Sequence, residues 1–197
     1  KREAVLDKHR GSFLFTHFGM SGPVVLDISR AVTGHSSPQS LELVCDFLPG
    51  ERADQFEGQL TQLAQQEGKK QLDSALALLL PRRLVDALLA QANVAPAKRA
   101  AEVSREERKR IVRWVKEARV PLSGALGFEK AEVTAGGVPL AEVDSRTMQS
   151  KLVPGLYLAG EILDLDGPIG GYNFQAAFST GVLAGRKLVP RDSASAS

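Results

Sequence analysis

Gly155-Leu156-Tyr157-Leu158-Ala159-Gly160-Glu161-Ile162-Leu163-Asp164-Leu165-Asp166-Gly167-Pro168-Ile169-Gly170-Gly171-Tyr172-Asn173-Phe174-Gln175 joins a short apolar segment to a glycine turn and then to a helical pattern. Residues 155–159 predict a short buried strand, Gly160 permits close backbone approach where it ends, and Glu161 then stands at the strand's carboxyl edge. Ligands bind at that edge in open α/β sheets. Glu161 reads there either as an acceptor for ligand hydroxyls or as a surface turn carboxylate, and spacing alone leaves both open. After Gly170-Gly171, residues Phe174, Ala177, Phe178, Gly181, Val182 and Gly185 recur at helical spacing, and the small members of that set predict a helix lying close to a sheet. A glycine turn entering a helix presents free N–H groups and the positive end of the helix dipole, which suits a phosphate or a developing anion. The pattern is neither Gly-x-Gly-x-x-Gly nor a phosphate-loop sequence, so it points to an anionic-cofactor edge without naming the cofactor.

Working outward, the 197 residues divide into three compositional zones. Residues 11–50 are rich in aromatic and β-branched side chains and predict short strands and turns of a small sheet or barrel. Phe13-Leu14-Phe15-Thr16 reads as a strand, Gly19-Met20-Ser21-Gly22-Pro23 as a turn, and Pro23 as the first residue of a helix carrying Val24, Val25 and Ile28. Gly34 to Pro38 reads as a loop. Leu41, Leu43, Cys45 and Phe47 alternate onto one face of a further strand, which makes Cys45 a packing thiol.

Residues 51–120 change to Ala, Leu, Gln, Arg and Glu, a helical composition. Asp54 with Glu57 resembles a capping box, and Gly68 is placed to end that helix. Leu72, Ala75, Leu76 and Leu79 form one apolar stripe; Pro81 breaks it, and Leu84, Val85, Leu88 and Leu89 form the next. Ser104 with Glu107 opens a helix with Ile111, Trp114, Val115 and Ala118 inward and Pro121 as its terminator. Arg105, Arg108, Lys109, Arg110, Arg113, Lys116 and Arg119 are the basic concentration of the chain. Interspersed Glu106, Glu107 and Glu117 make them read mainly as a solvated face.

Residues 128–190 return to strands and glycine, with Ala131 to Thr134 leading into Gly136-Gly137, and Ser193 to Ser197 read as a fraying tail. The 43% hydrophobic and 24% charged composition and the formal net charge of +2 are those of an ordinary globular chain. Collagen-like and disordered classes are excluded. The sequence pI of about 8.8 reflects a slight cationic excess rather than a large field. A single cysteine excludes an internal disulfide or a CxxC pair, and no apolar run is long enough to span a bilayer. A cytoplasmic setting follows as an expectation. His9 and His35 lack a neighbouring ligand pattern, which disfavours a metal, and His17 predicts a structural ring hydrogen bond. No catalytic acid–base pair is identified.

Four elements carry a resemblance: Phe15-Thr16-His17-Phe18-Gly19-Met20-Ser21-Gly22-Pro23, Thr134-Ala135-Gly136-Gly137-Val138, Thr147-Met148-Gln149-Ser150-Lys151, and Gly160-Glu161 through Gln175. In this order and spacing the chain resembles the C-terminal part of the BaiN-type, YhiN-like bacterial FAD-dependent oxidoreductases, a group that includes aminoacetone-oxidase-like flavoproteins. The resemblance implies an α+β fragment. An inserted domain over 1–127 has a β-rich, small-barrel part (1–50) and a helical part (51–127). The C-terminal portion of a Rossmann-type FAD-binding domain over 128–190 and a flexible tail over 191–197 follow it.

By the same resemblance, Gly160 and Glu161 lie along the ribityl and pyrophosphate region of FAD. Gly170, Gly171, Tyr172 and Asn173 approach the flavin end, and Gly136 and Gly137 form a second backbone approach. Tyr172 either stacks near the flavin or packs at the turn, and Asp164 and Asp166 order the loop. No Gly-x-Gly-x-x-Gly follows a strand in this chain. With the missing initiator Met before Lys1, this predicts a fragment that binds FAD weakly or not at all, drawn from a parent enzyme. The parent is expected to act on a small organic substrate with NAD(P)H or oxygen as second redox partner. No membrane is involved, nucleic acid is disfavoured, and the oligomeric state is open. The rival reading is a helical protein-interaction or nucleic-acid-binding module that uses the basic 105–119 face.

Overall fold

The computed structural model describes residues 4–188; the tail read at 191–197 lies outside them. The chain forms two compact units. One is Gln39–Ser123, and the other combines residues up to Pro38 with those from Gly124 onward.

In the second of these, β1 (Leu14–Thr16) pairs antiparallel with β2 (Gly19–Ser21), with Phe15 opposite Met20. The segment from Gly19 was expected to be the turn; instead the chain reverses at His17-Phe18, and Gly19–Ser21 is the return strand. Thr16 causes this: its hydroxyl accepts from Phe18 N–H (3.4 Å) and donates to the Gly19 carbonyl (3.2 Å), closing the loop before the glycine is reached. His17 sets its ring edge-on against Phe18 at 5.0 Å, and among the described residues its ring makes no hydrogen bond, contrary to expectation. Helix α1 (Pro23–Thr33) starts with proline in its first turn, as read.

In Gln39–Ser123, β3 (Glu42–Cys45) is followed by α2 (Ala53–Gln66), α3 (Leu72–Leu76), α4 (Arg82–Gln91), α5 (Arg105–Lys116) and β4 (Ala118–Pro121). Helix α2 begins earlier than the Asp54–Glu57 pattern suggested. Gln55 accepts from Arg52 N–H at 2.9 Å, and Asp54 pairs with the Arg52 guanidinium instead of capping. Pro81 separates α3 from α4, and the joint is bound by buried Asp73, which pairs with Arg82 and accepts from Ser74 N–H. Leu79 is exposed and Leu80 takes the buried place, because α3 ends at Leu76 and the stripe does not continue in register.

The expected continuation of α5 to Pro121 is overturned. The helix stops at Lys116, Glu117 leaves helical geometry, and residues 118–121 form β4, antiparallel to β3 with Cys45 opposite Ala118. Ladder pairing and the bonds of buried Lys116 to Asp46 and to the Leu48 and Glu51 carbonyls outweigh the local helix preference. Phe56, Leu60, Leu72, Leu76, Val85, Leu88, Leu89, Ile111, Val112 and Val115 form the centre of the core, with Trp114 packed on it.

The Ser104 capping box is present as read. Ser104 Oγ accepts from Glu107 N–H (3.2 Å), Glu107 accepts from Ser104 N–H (2.7 Å), and Lys98 Nζ binds both Glu107 oxygens. Ser104→Ala is expected to destabilise this unit by about 1 kcal/mol, read as a lower urea midpoint with unchanged slope. Lys98 and the Ser104 amide hold the Glu107 carboxyl below its ordinary pKa of 4.5. A depressed carboxylate contributes stability that is complete above that ordinary value and is lost as pH falls through the lowered native one.

From Gly124 onward, strands give way to turns and single bridges. Val143 pairs with Ser150, Gln149 with Tyr157, and Val138, in parallel, with Leu163. Residues 155–159 are therefore not the expected strand: only Tyr157 is bridged, while Ser150 N–H bonds to the Leu156 carbonyl and Leu158 N–H to that of Met148. A strand needs consecutive ladder partners, and a left-handed Met148 together with the 3-10 turn Gly160–Ile162 limits each pairing to one residue. Residues 131–134 likewise form no strand.

Helix α6 (Tyr172–Leu188) follows Gly170-Gly171 as read, but its inward face is rotated: of the small residues read as inward, Ala177 and Gly185 are half-buried and Gly181 is exposed. Thr180 and Ala184 are buried and Ala177 and Leu183 half-buried, while Phe174, Phe178 and Val182 are exposed and Gly181 meets no neighbour. Apolar and small residues recur on more than one side of this helix, so periodicity alone does not select the inward face. A small core of Val143, Met148, Leu163 and Ala184 lies beneath it. No helix among the described residues is long and apolar enough to cross a membrane.

Candidate functional site

The site is built where α6 begins. Gly170 and Gly171 have φ of 130° and 93°, values that L side chains rarely adopt, and they let the chain turn directly into a 17-residue helix. The first intrahelical bond runs from Gln175 N–H to the Gly171 carbonyl at 2.9 Å. The N–H groups of the turn before it have no partner within the helix, so the helix presents donors and its positive dipole end.

Three contacts fix the approach loop. Asp27 on α1 accepts from Ile169 N–H at 2.7 Å, Arg30 on α1 pairs with Asp166 at 2.6 Å, and Asn173 binds Gly167 through both amide atoms, at 2.8 and 2.9 Å. The Asn173 side chain is thus a loop clamp, and what it offers outward is backbone. Tyr172 packs beside Gly167 and Gly170 but remains largely exposed.

Two other quoted glycine segments meet each other. Gly137 lies against the backbone of Ile162 to Asp164 so closely that a Cβ there would stand 2.5 Å from the Ile162 oxygen. Flanking bonds, Val138 N–H to Ile162 O (2.8 Å) and Asp164 N–H to Val138 O (2.9 Å), hold the crossing. The Gly160–Ile162 turn is tied to α6 as well, with Gly160 N–H donating to Thr180 Oγ1 at 3.0 Å. Glu161 is exposed on this turn and free to accept from outside. Thr180 lies eight residues beyond Tyr172, about 12 Å along the helix, so the Glu161 turn and the Gly170-Gly171 turn are attached to different stations of one helix. That spacing suits an extended polar ligand better than a compact ion.

Asp27, Arg30 and Thr180 were not singled out from the sequence. Asp27 and Arg30 stand one helical turn apart on α1, but nothing local signals that their partners lie 142 and 136 residues away. Asp166 orders the loop as expected. No cluster of metal-ligating side chains occurs among the described residues. Half-buried Cys45 has its thiol pKa pushed up by burial, which keeps it protonated and suits packing rather than attack.

The basic residues read over 105–119, on α5 and at the start of β4, are partly spent on the fold. Arg108 donates to the Val103 carbonyl (2.8 Å), Arg110 to that of Ala92 (2.7 Å), Lys116 to the β3–α2 connection, and Arg119 pairs with Glu42 and Glu117. Arg105, Lys109 and Arg113 project into solvent.

Residues 3–133 match the family model described as the HI0933-like protein barrel and H2TH domain. The chain is 37% identical over 167 residues to a ribosomal RNA dihydrouridine synthase of Haemophilus influenzae, covering 85% of this chain and 39% of that protein. It is 36% identical over 181 residues to the protein of the same name from Escherichia coli, covering 91% and 43%. It is 32% identical over 188 residues to a 3-dehydro-bile acid delta(4,6)-reductase of Clostridium scindens, covering 95% and 46%. The chain therefore spans less than half the length of these curated relatives.

Proposed function

The chain belongs to the HI0933-like family, and from that premise we propose that it is the flavin-facing portion of an FAD-dependent reductase acting on a carbon–carbon double bond conjugated to a carbonyl. The relatives' names share that chemistry: a dihydrouridine arises by saturating the ring double bond of uracil, and a delta(4,6)-reductase of a 3-oxo steroid saturates an enone. Saturating such a bond adds a hydride to its electrophilic end, the carbon β to the carbonyl or the vinylogous δ carbon of a dienone, and a proton to the neighbouring carbon. When bound, FAD supplies the hydride, with NAD(P)H as its electron donor.

The observation that carries the reading is the pair of polar stations on α6, the open helix start at Gly170-Gly171 and the Glu161 turn held by Thr180. The residues fit such a cofactor: the helix start offers donors to an anionic group, and exposed Glu161 offers an acceptor to hydroxyls. Asp27, Arg30 and Asn173 keep the loop in place for this, and the close crossing at Gly137 positions the Glu161 turn. In this reading residues 1–127 are an insert and 128–190 return to a Rossmann-type FAD domain. The exposed Phe174, Phe178 and Val182 face of α6 supports it, because a helix apolar on both sides is one that packs on both sides. The setting proposed is the cytoplasm.

The test is flavin uptake by the full-length protein. It is expected to retain visible flavin absorbance that NAD(P)H bleaches and a conjugated enone restores. Gly171→Val, which forces a β-branched residue into a left-handed backbone, is expected to lower flavin content at least tenfold with the secondary structure intact. A well-folded wild-type protein that takes up no FAD overturns the proposal.

A further inference from the structure

We infer that the exposed stripe Arg105, Lys109 and Arg113 on α5 is an RNA-docking surface that contacts phosphates of the nucleic acid carrying the reducible uracil. This rests on the reductase reading above and on the choice, within its substrate class, of the substrate named for two of the relatives.

The structure separates these three cations from the other basic residues of α5 and its flanks. Arg108, Lys116 and Arg119 are engaged by carbonyls and carboxylates of their own unit, and Lys98 is held by Glu107. Arg105, Lys109 and Arg113 repeat at i, i+4 and i+8, which places them on one side of the helix in steps of about 6 Å. Arg110 is exposed beside them, with its Nε on the Ala92 carbonyl and its charge retained.

Glu106 is the acid on the same face. It does not pair with Arg110 one turn on, because that guanidinium turns back to the carbonyls at the end of α4, at 2.7 and 3.5 Å. Glu107 is likewise withdrawn, bound to Lys98 and Ser104. Glu117, at the end of the helix, is bound by Arg119, so four cations and one unpaired acid face solvent together. An ordinary solvated helix face intersperses its signs in i, i+4 pairs; this one keeps a positive excess, and a polyanion is the partner whose charge complements it. The opposite side of α5, with Ile111, Val112 and Val115, is packed in the core, so the stripe is presented on a rigid support.

The experiment measures binding of the full-length protein to purified, protein-free ribosomal RNA over a range of salt. The triple variant R105E/K109E/R113E is expected to weaken binding at least tenfold near 0.1 M salt and to reduce the slope of log affinity against log salt by about 2, at roughly 0.7 for each phosphate no longer neutralised. A charge-matched control, K130E/R146E/R186E, is expected to weaken it less than threefold. Neutral R105Q/K109Q/R113Q, checked for an unchanged thermal midpoint, guards against misfolding and is expected to give an intermediate loss. Equal losses in stripe and control variants, or unchanged RNA affinity in the folded stripe variants, overturns the inference, and stripe-dependent binding to an acidic protein in place of RNA does the same. RNA binding is read without flavin, so failure here is distinguishable from a failure to take up FAD.

Discussion

Phe56→Ala is expected to destabilise the helical unit by about 4 kcal/mol. Phe56 is fully buried among Leu60, Leu72, Leu89 and Ile111, so the truncation removes an aromatic ring from a site closed on all sides. Domain stabilities are about 5–15 kcal/mol in total, and the loss leaves the unit marginal. The sole tryptophan, Trp114, packs against this same core, so its fluorescence follows the transition. The expected record is a large drop in denaturant midpoint. Phe56→Leu, which keeps most of the volume, is expected to cost about 1 kcal/mol. Equal midpoints for Phe56→Ala and wild type would show that the ring is not part of a continuous core.

Gly137→Ala is expected to destabilise the other unit by on the order of 3 kcal/mol, from the strain of a side chain at φ 148° together with overpacking. The obstacle is backbone on all sides: the Ile162 oxygen at 2.5 Å, the Leu163 carbonyl carbon at 2.8 Å and the Asp164 nitrogen at 3.0 Å. No rotamer change relieves such a contact. To admit the methyl, the Val138–Leu163 crossing must open and the Gly160–Ile162 turn must move with it, so flavin content of the full-length protein is expected to fall together with stability. Gly136→Ala has a positive φ of 98° but open space, and is expected to cost about 1 kcal/mol. Similar losses for the two alanine variants would count against the close crossing and leave only the left-handed backbone as the cause.

Much of the helical unit was legible because its signals are local. Ser104 and Glu107 cap each other three residues apart, Pro81 stands at the start of α4 and separates it from α3, and Val85, Leu88 and Leu89 recur with the helical period. Helix α1 after Gly22-Pro23 and α6 after Gly170-Gly171 were readable for the same reason. The strand at β4 was not legible: Ala118 to Pro121 continue a helical composition and become extended only because β3 lies alongside. The expected strand at 155–159 failed in the converse way, with apolar residues of suitable type but no run of ladder partners.

At the candidate site, the glycines were visible in the sequence as residues that tolerate unusual backbone, but their reasons differ. Gly170 and Gly171 serve a turn, a local matter; Gly137 serves a crossing with residues 25 positions later, which no window of sequence displays. The assignments to Asp27, Arg30 and Thr180 depend wholly on contacts made after folding.

What the sequence determined by itself is the set of groups whose behaviour depends on near neighbours: the helices with their caps, the glycine turn into α6, and the ordered motifs behind the family resemblance. Tertiary structure alone decided which face of α6 is buried, which cations of α5 are left to solvent, and which side chains hold the loop before Gly170. Those outcomes are set by packing and by pairing between distant segments. There the free energy comes from contacts whose partners are specified by the fold and not by spacing along the chain.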